Sequence, residues 1–143
     1  MSRLFRVLGL LAALGALGAL GACAQAGGAG AVPLEGRDWV LKQIEGQAVS
    51  SGRPPSLRLD SAAGKVSGFS GCNRYTGSAT VSGAKLKFGP LAGTRMACVE
   101  GMELEQRYLT LLAQTDRYRI EGDMLLLLSG DRTLLGYQMQ PAQ

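Results

Sequence analysis

Tyr118-Arg119-Ile120-Glu121-Gly122-Asp123-Met124-Leu125-Leu126-Leu127-Leu128-Ser129-Gly130-Asp131-Arg132-Thr133-Leu134-Leu135-Gly136-Tyr137-Gln138-Met139 is the stretch that decides the fold class. Tyr118 and Ile120 alternate with Arg119 and Glu121, the two-residue period of a half-buried strand. Met124–Leu128 is apolar at every position, as a strand covered on both faces would be. Leu135, Tyr137 and Met139 share one face of a last strand. Gly122-Asp123 and Ser129-Gly130-Asp131 separate these runs, and each reads as a hairpin connection. Three consecutive strands joined by tight turns imply an antiparallel sheet.

The same grammar continues upstream. Trp39, Val40, Leu41 and Ile44 fall within an apolar run, Asp38–Glu45. Leu57 and Leu59 flank Arg58, and Lys65–Phe69 follows a turn at Gly64. Lys85-Leu86-Lys87-Phe88 alternates cleanly after the Ser82-Gly83-Ala84 turn. One segment breaks the pattern. In Val99–Gln114, Leu104, Tyr108, Leu111 and Leu112 recur at helical spacing and make a single buried stripe. Glu100 suits its N-terminal end, and Glu103 and Arg107 are spaced for an ion pair on the wet side. The expected fold is mainly β (α+β): a small antiparallel, partly open β-barrel with one amphipathic helix closing its core.

The N-terminus is a separate problem. Arg3 and Arg6 precede an uncharged run of Leu, Ala and Gly from Val7 to Ala22. A positive start, an apolar stretch and small residues at its end describe a secretory signal peptide. The run falls short of the about 20 apolar residues that a spanning helix needs. It ends in Leu20-Gly21-Ala22-Cys23, which resembles the bacterial lipobox, with Cys23 as the lipidated residue. Two or more acyl chains anchor a protein stably without a spanning helix. The expected organisation is a lipoprotein signal peptide at 1–22, lipidated Cys23 with a flexible Ala/Gly/Gln linker at 23–33, and one globular domain at 34–143. The chain has 143 residues, 15 basic and 11 acidic. Losing Arg3 and Arg6 lowers the net charge from +4 to about +2, and no basic run remains, so nucleic-acid binding is not expected.

The inventory of reactive groups is thin. The chain contains no histidine, which removes His-based triads and the usual general base. Beyond Cys23, the cysteines are Cys72 and Cys98. Two thiols without histidine are too few for a structural zinc site, so no metal and no cofactor are expected. A catalytic thiol would need a local cation, and Arg74 and Arg95 are the candidates. In an oxidising compartment the pair reads instead as a disulfide, closing a loop worth about 3.5 kcal/mol. Glu100, Glu103 and Glu105 lie on the helix with no paired carboxylate at useful spacing. The chain is therefore not expected to be an enzyme.

The densest local signal is Ser67-Gly68-Phe69-Ser70-Gly71-Cys72-Asn73-Arg74-Tyr75-Thr76-Gly77, whose glycines do not follow a phosphate-loop pattern. They read as turn or close-approach positions. Gly68, Phe69, Ser70, Gly71, Cys72, Asn73, Tyr75 and Gly77, with the later Thr94-Arg95-Met96-Ala97-Cys98, closely resemble the signature of the META domain, also called the HslJ-like domain. Trp39-Val40-Leu41 and the helix fit the same layout. The resemblance implies a β-rich, barrel-like fold with a helix, often secreted or lipid-anchored. It implies links to heat-shock response and novobiocin tolerance, and no established catalytic residues.

The expected function is that of a lipid-anchored, non-enzymatic protein of the cell envelope, at the outer membrane facing the periplasm. It would support heat or antibiotic tolerance by binding an envelope partner. One alternative is a carrier or pilot-like lipoprotein holding a lipid or apolar peptide in a mouth lined by Met124, Leu126 and Leu128. Another is a periplasmic inhibitor of a lysozyme-type hydrolase.

Overall fold

The structure is a computed structural model that describes residues 33–141. The expected signal peptide, Cys23 and nearly all of the linker lie outside those residues. The strands are β1 (Trp39–Ile44), β2 (Gln47–Ala48), β3 (Ser56–Asp60), β4 (Lys65–Phe69), β5 (Arg74–Ser82) and β6 (Lys85–Gly93). Helix α1 (Met102–Gln114) follows, and then β7 (Arg117–Glu121), β8 (Met124–Ser129) and β9 (Arg132–Met139). Neighbouring strands pair antiparallel in the order β1-β3-β4-β5-β6-β7-β8-β9, and β9 returns to β1. The sheet therefore closes on itself into a small barrel, which removes the exposed edges of an open sheet.

The ring is uneven. One edge of β1 carries β9 along its length; the other is shared, with Trp39 and Val40 on β3 and Gln43 and Ile44 on β2. Between β6 and β7 a single residue pair, Lys85 with Arg117, bridges the strands. This is the opening of the barrel. Helix α1 connects those two strands and packs against β6, β8 and β9. Its Tyr108, Leu111 and Leu112 are buried in the cluster formed by Trp39, Leu41, Leu57, Leu86, Leu125, Leu127 and Leu135. Each fully buried leucine contributes about 1.5–3 kcal/mol relative to exposure, so the helix is held by its stripe rather than by its caps.

The helix starts later than its periodicity predicts. Gly101 caps it at φ 93°, leaving Val99 and Glu100 outside, and Glu103 and Glu105 are the acids of its first turn. Arg107 does not pair with Glu103. It reaches Glu45 in the β1–β2 turn at 2.8 Å, and Arg132 on β9 reaches the same carboxylate at 3.4 Å.

The strand β5 is not among the runs that alternation picks out: the glycines between Gly68 and Gly77 read as turn or close-approach positions, and only the Ser82-Gly83-Ala84 hairpin connection marks its far end. Its inward residues, Tyr75, Gly77, Ala79 and Val81, include only one large apolar side chain ahead of Val81, so the alternation is faint. In β8, Leu125 and Leu127 enter the interior cluster, whereas Leu126 and Leu128 do not. With a two-residue period, Met124, Leu126 and Leu128 share the opposite face. They cannot line a mouth into the barrel, and the carrier reading loses its proposed site. On β9 a register shift opposite Leu127 and Leu128 inserts Leu134 as an extra residue, so two consecutive leucines, Leu134 and Leu135, both enter the core.

Candidate functional site

The β4–β5 connection is Ser70–Asn73, with Phe69 and Arg74 as the last cross-strand pair below it. Ser70 N–H donates to the Asn73 carbonyl at 2.8 Å, and the Ser70 hydroxyl oxygen lies 2.8 Å from the same carbonyl. The loop is thus a closed turn. Ser70, Cys72 and Asn73 are 1%, 4% and 4% exposed, so each polar atom there needs a partner within the protein.

Asn73 finds four. Its Oδ1 accepts the Met96 N–H at 2.7 Å and the Thr94 hydroxyl at 3.0 Å. Its Nδ2 donates to the Met96 carbonyl at 3.3 Å and to Glu105 Oε1 at 2.9 Å. The side-chain amide thereby pairs with both backbone groups of Met96, as a neighbouring strand residue would. Thr94 N–H donates to the Arg74 carbonyl at 3.0 Å, which extends the β5–β6 ladder to the same point. Cys72 and Cys98 are joined by a disulfide with Cα atoms 5.9 Å apart. With both sulfurs bonded, neither is a thiol nucleophile.

Glu105 completes the arrangement from α1. Its Oε2 accepts the Asn73 N–H at 2.7 Å and the Ser70 hydroxyl. Burial alone pushes this carboxyl upward; the hydrogen bonds from Ser70, from the Asn73 side chain and backbone and from the Cys72 backbone outweigh it. The net direction is down, which keeps Glu105 ionised and acceptor-only near neutrality. The sequence carries a signal for this residue that spacing of carboxylates does not reveal. Glu105, Tyr108 and Leu112 are i, i+3 and i+7, so a carboxylate sits on the edge of the buried stripe.

Two glycines make the contact possible. Gly71 has φ 122°, and a Cβ there would lie 3.1 Å from the Gly101 carbonyl. Gly101 has φ 93°, and a Cβ there would collide with the Gly71 carbonyl. The loop and the start of the helix touch backbone to backbone. Elsewhere in the signature, Gly68 leaves room for the Ser56 carbonyl, with which a Cβ would collide, and for the Tyr75 hydroxyl, which a Cβ would approach to 2.8 Å.

Tyr75 points inward into a chain of buried phenols. Its hydroxyl lies 2.9 Å from that of Tyr108, and Tyr137 donates to Tyr108 at 3.1 Å. The Ser56 carbonyl accepts from Tyr75 at 3.0 Å. The rings meet edge to face with centroids 5.9 and 6.4 Å apart. Burial pushes all three phenols well above their ordinary value. They stay neutral and act as the polar centre of the core.

The structure thus gathers Ser70, Gly71, Cys72, Asn73, Thr94, Met96 and Cys98 at one end of the barrel, with Glu105. Gly68, Tyr75 and Gly77 stand on strands and serve packing. Phe69 faces away from the interior beneath Arg53, whose guanidinium lies 4.0 Å from the ring centroid. Arg95 and Ala97 are exposed. Among the described residues, every buried side-chain nitrogen and oxygen has a hydrogen-bond partner. No group of three His, Cys, Asp or Glu residues among them is placed to hold a metal ion.

Comparison with known proteins follows the same lines. Residues 32–141 match the family model of the META domain. An NMR structure of a protein from Burkholderia xenovorans is 36% identical, with a TM-score of 0.62 over 76% of this chain and 85% of that one. A second protein solved by NMR is 27% identical, with a TM-score of 0.59 over 76% of this chain and 95% of that one. The crystal structure of a DUF4847 family protein from Bacteroides vulgatus shares the fold at 12% identity, with a TM-score of 0.57 over 77% and 96% of the two chains. None of the curated proteins matches the sequence.

Proposed function

The chain belongs to the META-domain (HslJ-like) family, and on that premise we propose that it works as a non-enzymatic, lipid-anchored protein of the cell envelope that supports heat or antibiotic tolerance by binding an envelope partner. The observation that carries this reading is what the signature does with its polar groups. Ser70, Asn73, Thr94 and Glu105 spend them on one another and on backbone, and the cysteines on a bridge. What the arrangement presents outward includes three large apolar side chains, beside the exposed Arg95 and Glu100. Met96, Val99 and Met102 are 58%, 105% and 38% exposed, on or beside the segment that Asn73 and the disulfide hold still. A clamped loop has little conformational freedom left to lose when a partner docks, which favours binding. The lipobox at Cys23 would supply the anchor and the linker its reach of about 15–18 Å.

Complementation tests this reading. A strain lacking the protein should regain heat or novobiocin tolerance with the parent chain and fail to regain it with Met96→Glu/Val99→Glu, whose altered side chains are exposed and leave the clamp intact. A Cys23→Ala chain should also fail while retaining its fold. Full rescue by the Met96→Glu/Val99→Glu chain would refute the binding surface, and full rescue by Cys23→Ala would refute the need for the anchor.

A further inference from the structure

The outer face of β3, β4 and β5 collects positive charge around an aromatic ring. Leu57, Leu59, Val66 and Tyr75 point inward, so the alternating residues Arg58, Ser67, Phe69 and Arg74 point out. Arg58 stands opposite Ser67, and Phe69 opposite Arg74. Asp38, Arg53, Arg58, Ser67, Phe69 and Arg74 line one cleft of about 340 Å³. Asp38 is its one carboxylate, held by Arg58 at 3.2 Å. Arg53 and Arg74 have no carboxylate partner among the described residues.

Three arginines line one cleft with a single carboxylate, which leaves it an excess of positive charge that a bound anion would neutralise. The Arg53 guanidinium carbon lies 4.0 Å from the Phe69 ring centroid, a cation–π contact that seats the charge on this face, and a guanidinium pairs its N–H groups with oxyanions. The Ser67 hydroxyl supplies a further donor on the same face. The net excess of two positive charges matches a dianion better than a single carboxylate.

We propose that this cleft binds the phosphate group of a phosphomonoester. The chemistry is shared by a soluble phosphorylated molecule and by an anionic lipid headgroup, and the experiment separates them. The full chain is titrated with inorganic phosphate against chloride at matched ionic strength, with the arginine Nε–H and Phe69 NMR signals as the readout. A Cys23→Ala chain, which cannot be acylated there, is also sedimented with vesicles of phosphatidic acid in phosphatidylcholine, taking phosphatidylcholine alone as the baseline.

Phosphate shifting these signals without extra sedimentation identifies a soluble ligand; excess sedimentation with phosphatidic acid identifies the headgroup. In either case Arg53→Met/Arg74→Gln, which keeps an aliphatic cover over Phe69, should weaken binding by roughly tenfold or more. Arg117→Gln/Arg119→Gln, with the same loss of charge on β7, should bind like the parent. The proposal is overturned if neither probe responds, if the cleft variant binds as the parent does, or if both variants weaken binding equally.

Discussion

The carboxylate of Glu105 accepts two hydrogen bonds from Asn73, one from its backbone N–H at 2.7 Å and one from its side-chain amide at 2.9 Å. A residue on the helix thereby closes the turn between two strands, 32 positions earlier in the chain. The same amide holds the Met96 backbone, so three segments that the barrel alone would leave loosely joined are fixed at one residue.

This linkage sets an acid limit on stability. Hydrogen bonds outweigh burial to hold Glu105 below the ordinary glutamate value of 4.5. The hydrogen bond and charge of Arg107, with Arg132 adding its charge, hold Glu45 below the same value. A carboxyl depressed in the folded state contributes stability that is fully present above its unfolded pKa and lost as pH falls through its folded pKa. Unfolding in urea should therefore show constant stability from pH 7 to about 5 and a decline below pH 4.5. Glu105→Gln should be less stable at pH 7 and decline less steeply in acid; an unchanged acid slope would remove Glu105 from the explanation.

The buried phenols make the opposite prediction in alkali. Their raised pKa values mean that stability is present below pH 10, the ordinary tyrosine value, and falls as pH rises above it. Tyr108→Phe removes the central hydroxyl and leaves Tyr137 without the partner it donates to. The expected cost is about 1–3 kcal/mol at pH 7, measured by chemical denaturation. A loss below about 0.5 kcal/mol would mean that the hydroxyl chain carries little of the core's stability.

Gly101→Ala tests the backbone contact. The substitution forces a side chain into φ 93° and against the Gly71 carbonyl. Positive φ alone costs about 1–2 kcal/mol, and the collision should raise the total to about 2–4 kcal/mol. Gly122→Ala, at φ 60° in an open turn with no atom within 4 Å of the added carbon, should pay the backbone cost alone. Equal losses at the two positions would show that the loop and helix can move apart freely.

The fold was legible where burial alternates. The run from Tyr118 to Met139 gave strands and turns because its apolar side chains are large, and the stripe at Leu104, Tyr108, Leu111 and Leu112 gave the helix. β5 escaped because glycine, serine, threonine and alanine dominate it, and their pairing is set by neighbouring strands rather than by their own pattern. Leu126 and Leu128 look identical to Leu125 and Leu127 in sequence, and only the closed ring decides which pair faces inward. The signature Gly71, Cys72, Asn73, Thr94 and Cys98 could be picked out from residue order. Glu105 is marked in sequence only by its place at the edge of the Tyr108–Leu112 stripe; its partners are distant in the chain, and the spacing of acids along the helix points instead to Arg107.

The most direct test is a double-mutant cycle on Asn73 and Glu105, using Asn73→Ala, Glu105→Ala and the pair, with urea unfolding of oxidised protein at pH 7. If the signature is a structural clamp, each single change should cost about 2–3 kcal/mol, and the two should couple by about 1–3 kcal/mol because they share the same hydrogen bonds. A coupling indistinguishable from zero, with each variant nearly as stable as the parent, would contradict the clamp and return Asn73 and the half-buried Glu105 to the list of groups free to do chemistry.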